Sequence, residues 1–140
     1  MSKLIYIDTN VYLDYFEERS YGLRPANEFA FNLIQRTIAC EFKIVLSTKL
    51  LEELEKRVSK EKITDFFNKL RIFNKVFDVR MTFNIKKFAI ELSRSGRIHY
   101  SDALHYAFAS HYGVEAIITN DRNFRELSSE KLRILMPEEV

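Results

Sequence analysis

The sequence predicts an α/β fold of three layers, α/β/α, in which a central, mostly parallel sheet of four to five strands is covered by helices on both faces. Two observations carry the prediction. The runs Leu4-Ile5-Tyr6-Ile7, Ile44-Val45-Leu46 and Ala116-Ile117-Ile118 are continuously apolar, as strands buried on both faces must be. Between them lie segments whose apolar residues recur at i, i+3, i+4 and i+7, the period of a helix with one buried side. Strand and helix alternating in this way is the mark of βα repeats. With 140 residues, 46% of them hydrophobic and 14% aromatic, the chain builds one core and one domain, residues 1–140. Only three Gly and two Pro occur, so no linker is expected, and neither a repeat nor a low-complexity tract is visible.

The elements follow in order. Leu4 to Ile7 is the first strand, and Asn10 to Phe16 reads as a helix start, with Thr9 or Asn10 available as its cap. Pro25 suits the first position of a helix running to about Cys40, with Ala30, Leu33, Ile34 and Ile38 as its stripe. Lys43 to Ser47 is the second strand. Ser47 or Thr48 caps the next helix, which carries Leu50, Leu51, Leu54 and Val58 inward. After a break near residues 59–62, Ile63, Phe66, Phe67 and Leu70 mark an amphipathic helix. Val76 to Arg80 is a short strand, and Thr82 caps a helix with Ile85, Phe88, Ala89 and Leu92 on one face, stopped by Gly96. Ser101 caps a helix that turns Leu104, Ala107 and Phe108 inward until Gly113 stops it. The strand at Ala116, a short helix near Asn123 to Leu127 and a last strand from Leu132 to Leu135 complete the domain. The helical excursion from residue 48 to 74 is expected near the rim of the site.

The two strands with the strongest apolar character both run into acids. Ile7 is followed by Asp8, and Thr119 by Asn120 and Asp121. In an open parallel sheet both carboxylates then lie at carboxyl ends of strands, where such sheets place their ligands. Asp102, opening the preceding helix, and Glu53, just inside the helix after the second strand, have routes to the same point. Like charges held together in a partly dry cleft call for a divalent cation. Hard cations such as Mg²⁺ or Mn²⁺ want oxygen ligands, whereas His99, His105 and His111 show no zinc spacing with a Cys. The reading is therefore a metal site with Asp8, Asp102 and Asp121 as ligands, and with Glu53 as a ligand or as the group that orients the attacking water. Thr119 and Asn10 would hold these carboxylates and waters in place.

Bulk charge is consistent with a polyanionic partner. The net charge is +2, and setting those four acids aside leaves the rest of the chain at +6. Lys56, Arg57 and Arg122 are candidate phosphate contacts, and His105, one turn beyond Asp102, is a candidate substrate contact or a core histidine. Tyr12, Tyr15, Phe16 and Tyr21 either stack on bases or pack in the core or in a dimer interface. Cys40 is the only cysteine, which excludes an internal disulfide and fits a reducing compartment. No signal peptide or membrane-length apolar stretch is seen, so a cytoplasmic protein is expected.

The four acidic segments resemble those of a known family. Ile5-Tyr6-Ile7-Asp8-Thr9-Asn10-Val11, the segment from Ser47 to Leu54 with Glu53, Ser101-Asp102-Ala103-Leu104-His105, and Ile118-Thr119-Asn120-Asp121-Arg122-Asn123-Phe124 look like the four acidic blocks of PIN domains, in the same order. The likeness covers nearly the whole chain and is to the VapC-like kind. It implies a PIN-like sheet, a metal-dependent ribonuclease using Mg²⁺ or Mn²⁺, often a homodimer, and frequently the toxin of a type II toxin-antitoxin pair. One departure stands out: many relatives carry a further acid where this chain has Asn123, which leaves the number of ions open. Two other classes compete with an RNA-cleaving enzyme. A catalytically inactive PIN-like module would bind RNA or protein without productive metal. A receiver-type phosphoacceptor would need paired acids after the first strand and an acceptor Asp after the third; the first strand here ends in Asp8-Thr9-Asn10, and Asp78 falls inside its strand.

Overall fold

The computed structural model describes residues 3–96 and 98–140. Five parallel strands, β1 (Lys3–Ile7), β2 (Phe42–Ser47), β3 (Val76–Val79), β4 (Ala116–Ile118) and β5 (Arg133–Leu135), form one sheet in the order β3-β2-β1-β4-β5. The chain moves outward from β1 through β2 to β3, then returns to the other side of β1 for β4 and β5. The order thus reverses between β1 and β4, the place where a doubly wound sheet opens a crevice. Register fixes the crevice: Ile7 lies beside Ile118 and Ser47 beside Val79, so the carboxyl ends of neighbouring strands share one edge.

Among the described residues six α-helices cover the sheet: α1 (Thr9–Phe16), α2 (Ala26–Ile38), α3 (Thr48–Glu55), α4 (Lys60–Ile72), α5 (Phe83–Ser93) and α6 (Tyr100–His111). Helix α1 packs on α2 and α3, α3 on α4, and α5 on α6; the right-handed rule for crossovers that run in opposite directions assigns the first group and the second to opposite faces. A short 3₁₀ helix, Arg122–Leu127, joins β4 to β5. The apolar residues of β1, β2 and β4 are buried on both faces, as the continuous runs require. Tyr12, Phe66 and Phe67 pack edge to face, with Tyr15 and Phe16 closing over Phe66. Such pairs contribute about 1 kcal/mol each beyond the area they bury. This cluster ties α1 to α4 and makes Tyr12 a core residue rather than a base-stacking one.

Several boundaries differ from the sequence reading. Asp8, not Thr9 or Asn10, caps α1, because the chain turns immediately after Ile7 and leaves the Asp8 carboxylate beside the first free amide. Pro25 stands one place before α2 rather than at its first position. Ile38 is 40% exposed at the end of α2, and Phe88 is 41% exposed because α5 packs on α6 along the narrower line of Ile85 and Ala89; Phe88 instead stacks on Tyr106. Ser101 lies inside α6, whose cap position is His99 without a side-chain bond. No helix among the described residues is long and apolar enough to cross a membrane.

Candidate active site

Asp8 is the centre of the crevice. Its backbone amide donates to the Ile118 carbonyl at 2.8 Å, which pins the end of β1 against β4. Its Oδ1 accepts from the Thr9 amide at 2.7 Å, and its Oδ2 accepts from the Thr119 hydroxyl at 2.8 Å and from Asn10 Nδ2 at 3.2 Å. With three donors and a helix N-terminus behind it, the carboxylate is held in one orientation although only 7% of the residue is exposed. Thr119 and Asn10 thus both donate to the same oxygen of Asp8.

Thr119 also serves the next acid. Its hydroxyl accepts from the Asp121 amide at 3.1 Å, and Asp121 in turn caps the 3₁₀ helix by accepting from the Asn123 amide at 2.9 Å. The residue between them, Asn120, is clamped from three directions. Its amide donates to Asn10 Oδ1 at 3.1 Å, its Nδ2 donates to Asp14 Oδ2 at 2.5 Å, and its Oδ1 accepts from Arg24 at 2.8 Å. Arg24 grips Glu138 with two further bonds of 2.7 Å each. Asp14 is completely buried, and burial pushes its carboxyl up despite the donors Asn120 and Tyr21 and the charges of Arg19 and Arg24. Sequence reasoning missed this clamp; the one available signal was a carboxylate inside the otherwise apolar run Val11-Tyr12-Leu13-Asp14-Tyr15-Phe16.

Glu53 approaches from α3. Its Oε1 accepts from the Thr9 hydroxyl at 3.3 Å and is bonded to His105 Nε2. Burial raises the Glu53 carboxyl, but the bond and charge of His105, with Lys49 and Thr9, more than offset this and leave it below its ordinary value. His105 shows the converse: burial lowers the imidazolium, while Glu53 and the charges of Asp8 and Asp102 raise it above the usual histidine value. Its Nε2 lies 3.8 Å from Asp8 Oδ1, and only 1% of the residue is exposed. The substrate contact considered for His105 is thereby corrected: its ring is spent on neighbours inside the protein.

Asp102, in the first turn of α6, lines with Asp121 a hollow of about 250 Å³ that also touches His99, Asn123 and Phe124. Burial raises the Asp102 carboxyl most, and the charges of Asp8, Asp121 and Glu53 raise it further against the opposing pull of His105. Asp102 thus feels the other three acids at one edge of the sheet. They do not form a closed cage: among the described residues no three His, Cys, Asp or Glu side chains stand together as a ready ligand set. The donor set is all hard oxygen and mutually repelling, which fits a cation that keeps several of its waters and takes one or two carboxylates directly. Lys56, Arg57 and Arg122 stay exposed, and no contact among the described residues joins them to the acids; Arg57 pairs with Glu17 at 2.9 Å.

Fold and site together define an α/β protein with a carboxylate-lined crevice at its switch point. The PIN domain profile matches residues 5–130, and the chain belongs to that family. Among solved structures it is similar to one described as a toxin-antitoxin complex from Klebsiella pneumoniae, with a TM-score of 0.65 and 18% identity over 97% of this chain and 98% of the other. It is also similar to VapC20 of Mycobacterium tuberculosis, a sarcin-ricin loop cleaving toxin, with a TM-score of 0.64 and 17% identity over 92% and 98%. VapBC2 of Rickettsia felis, bound to a DNA fragment from its promoter, gives 0.62 and 17% over 94% and 96%. No curated protein matches the sequence.

Proposed function

We propose that this chain is a metal-dependent endoribonuclease that cleaves RNA phosphodiester bonds, and that it is the toxin of a toxin-antitoxin pair. The observation that carries the reading is geometric: Asp8 and Asp121 share the Thr119 hydroxyl, Glu53 reaches Thr9 beside Asp8, and Asp102 lines one hollow with Asp121, near the strand ends where the order reverses. Membership in the PIN family supports the activity, and the toxins among similar structures support the biological setting. A homodimer acting in the cytoplasm belongs to the same reading.

Asp8, Asp102 and Asp121 would hold Mg²⁺ or Mn²⁺, with Glu53 beside them. Such an ion, when bound, supplies water activation and neutralisation of phosphodiester charge. The protein's own part is positional. Thr9, Asn10 and Thr119 hold the Asp8 carboxylate still, and Thr119 with the Asn123 amide aims Asp121. Glu53, kept ionised by His105, is suited to accept a proton from or orient a water. Lys56, Arg57 and Arg122 would grip flanking phosphates, with Arg57 leaving Glu17 to do so.

The experiment is cleavage of a mixed-sequence, single-stranded RNA with and without Mn²⁺. Asp8→Asn and Asp121→Asn are each expected to lower the rate by 10²-fold or more, on the order of other carboxylates that act directly, with the fold retained by circular dichroism. An Asp8→Asn protein that cleaves as fast as the parent overturns the assignment. Asn123, which stands where many relatives have an acid, favours a second reading as an inactive binding module. Saturable RNA binding with no metal-dependent cleavage would select it.

A further inference from the structure

One buried polar chain lies behind the acids. Tyr6, wholly buried in β1, turns its hydroxyl to Ser47 Oγ at 2.8 Å and to His105 Nδ1 at 2.6 Å. Ser47 Oγ already accepts from the Leu50 amide at 3.1 Å as the cap of α3, so its hydrogen is free for the Tyr6 oxygen. When Ser47 does donate to it, Tyr6 can give its own hydrogen to Nδ1, the order that a ring without a hydrogen on Nδ1 requires. A neutral ring that accepts at Nδ1 carries its hydrogen on Nε2, and Nε2 faces Glu53 Oε1. Thr9 donates to that same oxygen at 3.3 Å. Oε1 of Glu53 thus has two donors, whereas Oε2 has no hydrogen-bond partner among the described residues.

Packing alone does not explain these residues. His105 sits on α6 between Ala103 and Leu104 on one side and Ala107 and Phe108 on the other, all buried, where an apolar side chain would fill the space without three aligned polar groups. Burying a hydroxyl, a phenol and an imidazole together is tolerable only when each finds its partner. Here each does, and the chain of partners ends at an acid of the crevice.

We infer that His105, backed by Tyr6 and Ser47, is a positioning residue: it locks Glu53 through Oε1 and leaves Oε2 as the atom that meets water or cation. What Oε2 meets rests on the nuclease reading; the hydrogen on Nε2 does not. Imidazole ¹⁵N NMR of the metal-free protein at alkaline pH is expected to show His105 as the Nε2–H tautomer, and Tyr6→Phe is expected to mix the two tautomers. In single-stranded RNA cleavage with Mn²⁺, His105→Leu and Tyr6→Phe are each expected to lower kcat about tenfold with KM unchanged, the size typical of groups that orient a ligand. His105→Gln, whose amide can still donate to Glu53, is expected to recover most of that loss. An Nδ1–H tautomer in the parent, or equal rates for His105→Leu and His105→Gln, overturns the inference. Should the parent cleave no RNA, the nuclease reading falls, and the NMR result still decides whether the ring is fixed by Tyr6.

Discussion

The two sides of the crevice are built differently. On the β1 side, Asp8 is almost enclosed and receives three hydrogen bonds from Thr9, Asn10 and Thr119. On the α6 side, Asp102 lines an open hollow with Asp121 and carries the repulsion of its neighbours. The first arrangement is complete within the protein. In the second, a repelled carboxylate is only partly offset by His105, so enclosure and electrostatic repulsion fall on separate elements, one at the centre of the sheet and one at a helix start.

If that contrast is right, damage to the rigid side should have the largest effect. Thr119→Val keeps the shape but removes the hydroxyl that serves both Asp8 Oδ2 and the Asp121 amide. The expected result is a 10- to 100-fold slower cleavage together with a loss of about 2 kcal/mol in urea unfolding, the cost of leaving buried partners unmet. Equal stability and equal rate in the variant would show that Asp8 needs no such support.

The open side should respond in the opposite sense. Asp102→Asn relieves repulsion, so the metal-free variant is expected to melt about 2 °C above the parent. On adding saturating Mn²⁺ the parent should gain thermal stability and the variant much less, because a ligand stabilises only the state that binds it. A variant less stable than the parent without metal would place Asp102 among the structural acids.

The smallest effect comes from beneath the rigid side. The folded value of the Asp14 carboxyl lies above its ordinary 3.8, so the folded state binds this proton more tightly. Its contribution to stability is therefore full below the ordinary value and is lost as pH rises through the raised one. Melting profiles across the mildly acidic range are expected to fall more with pH in the parent than in Asp14→Asn. Parallel profiles would mean that Asp14 does not titrate in this window.

Much of this was legible in sequence because it depends on local pattern. β1, β2 and β4 announce themselves as unbroken apolar runs, and Asp8, Asp102 and Asp121 stand at strand ends or helix starts that any βα repeat sends to one edge. Capping was less legible: Asp8 took the role read for Thr9 or Asn10, since one residue of turn decides which oxygen meets the first amide. His105 was visible as a neighbour of Asp102, but its burial depends on α3 and α6 meeting around the strand ends. Least visible was the clamp on Asn120. Arg24 reaches Asn120 across 96 residues and Glu138 across 114, separations at which no spacing rule operates. Tyr6 reads in sequence as one more strand residue; only the fold places its hydroxyl against a histidine.

The strand order also bears on how the protein is made. β1 is made before the other strands of the sheet yet lies in its middle, and one of its two neighbours, β4, is made only after β2 and β3. Asp8 and the threonine that steadies it are separated by 111 residues. A growing chain consequently exposes its first carboxylate long before the residues that organise it exist, and long-range pairing of this kind is slow to form. The crevice between β1 and β4 therefore takes its final form only once β4 has been made.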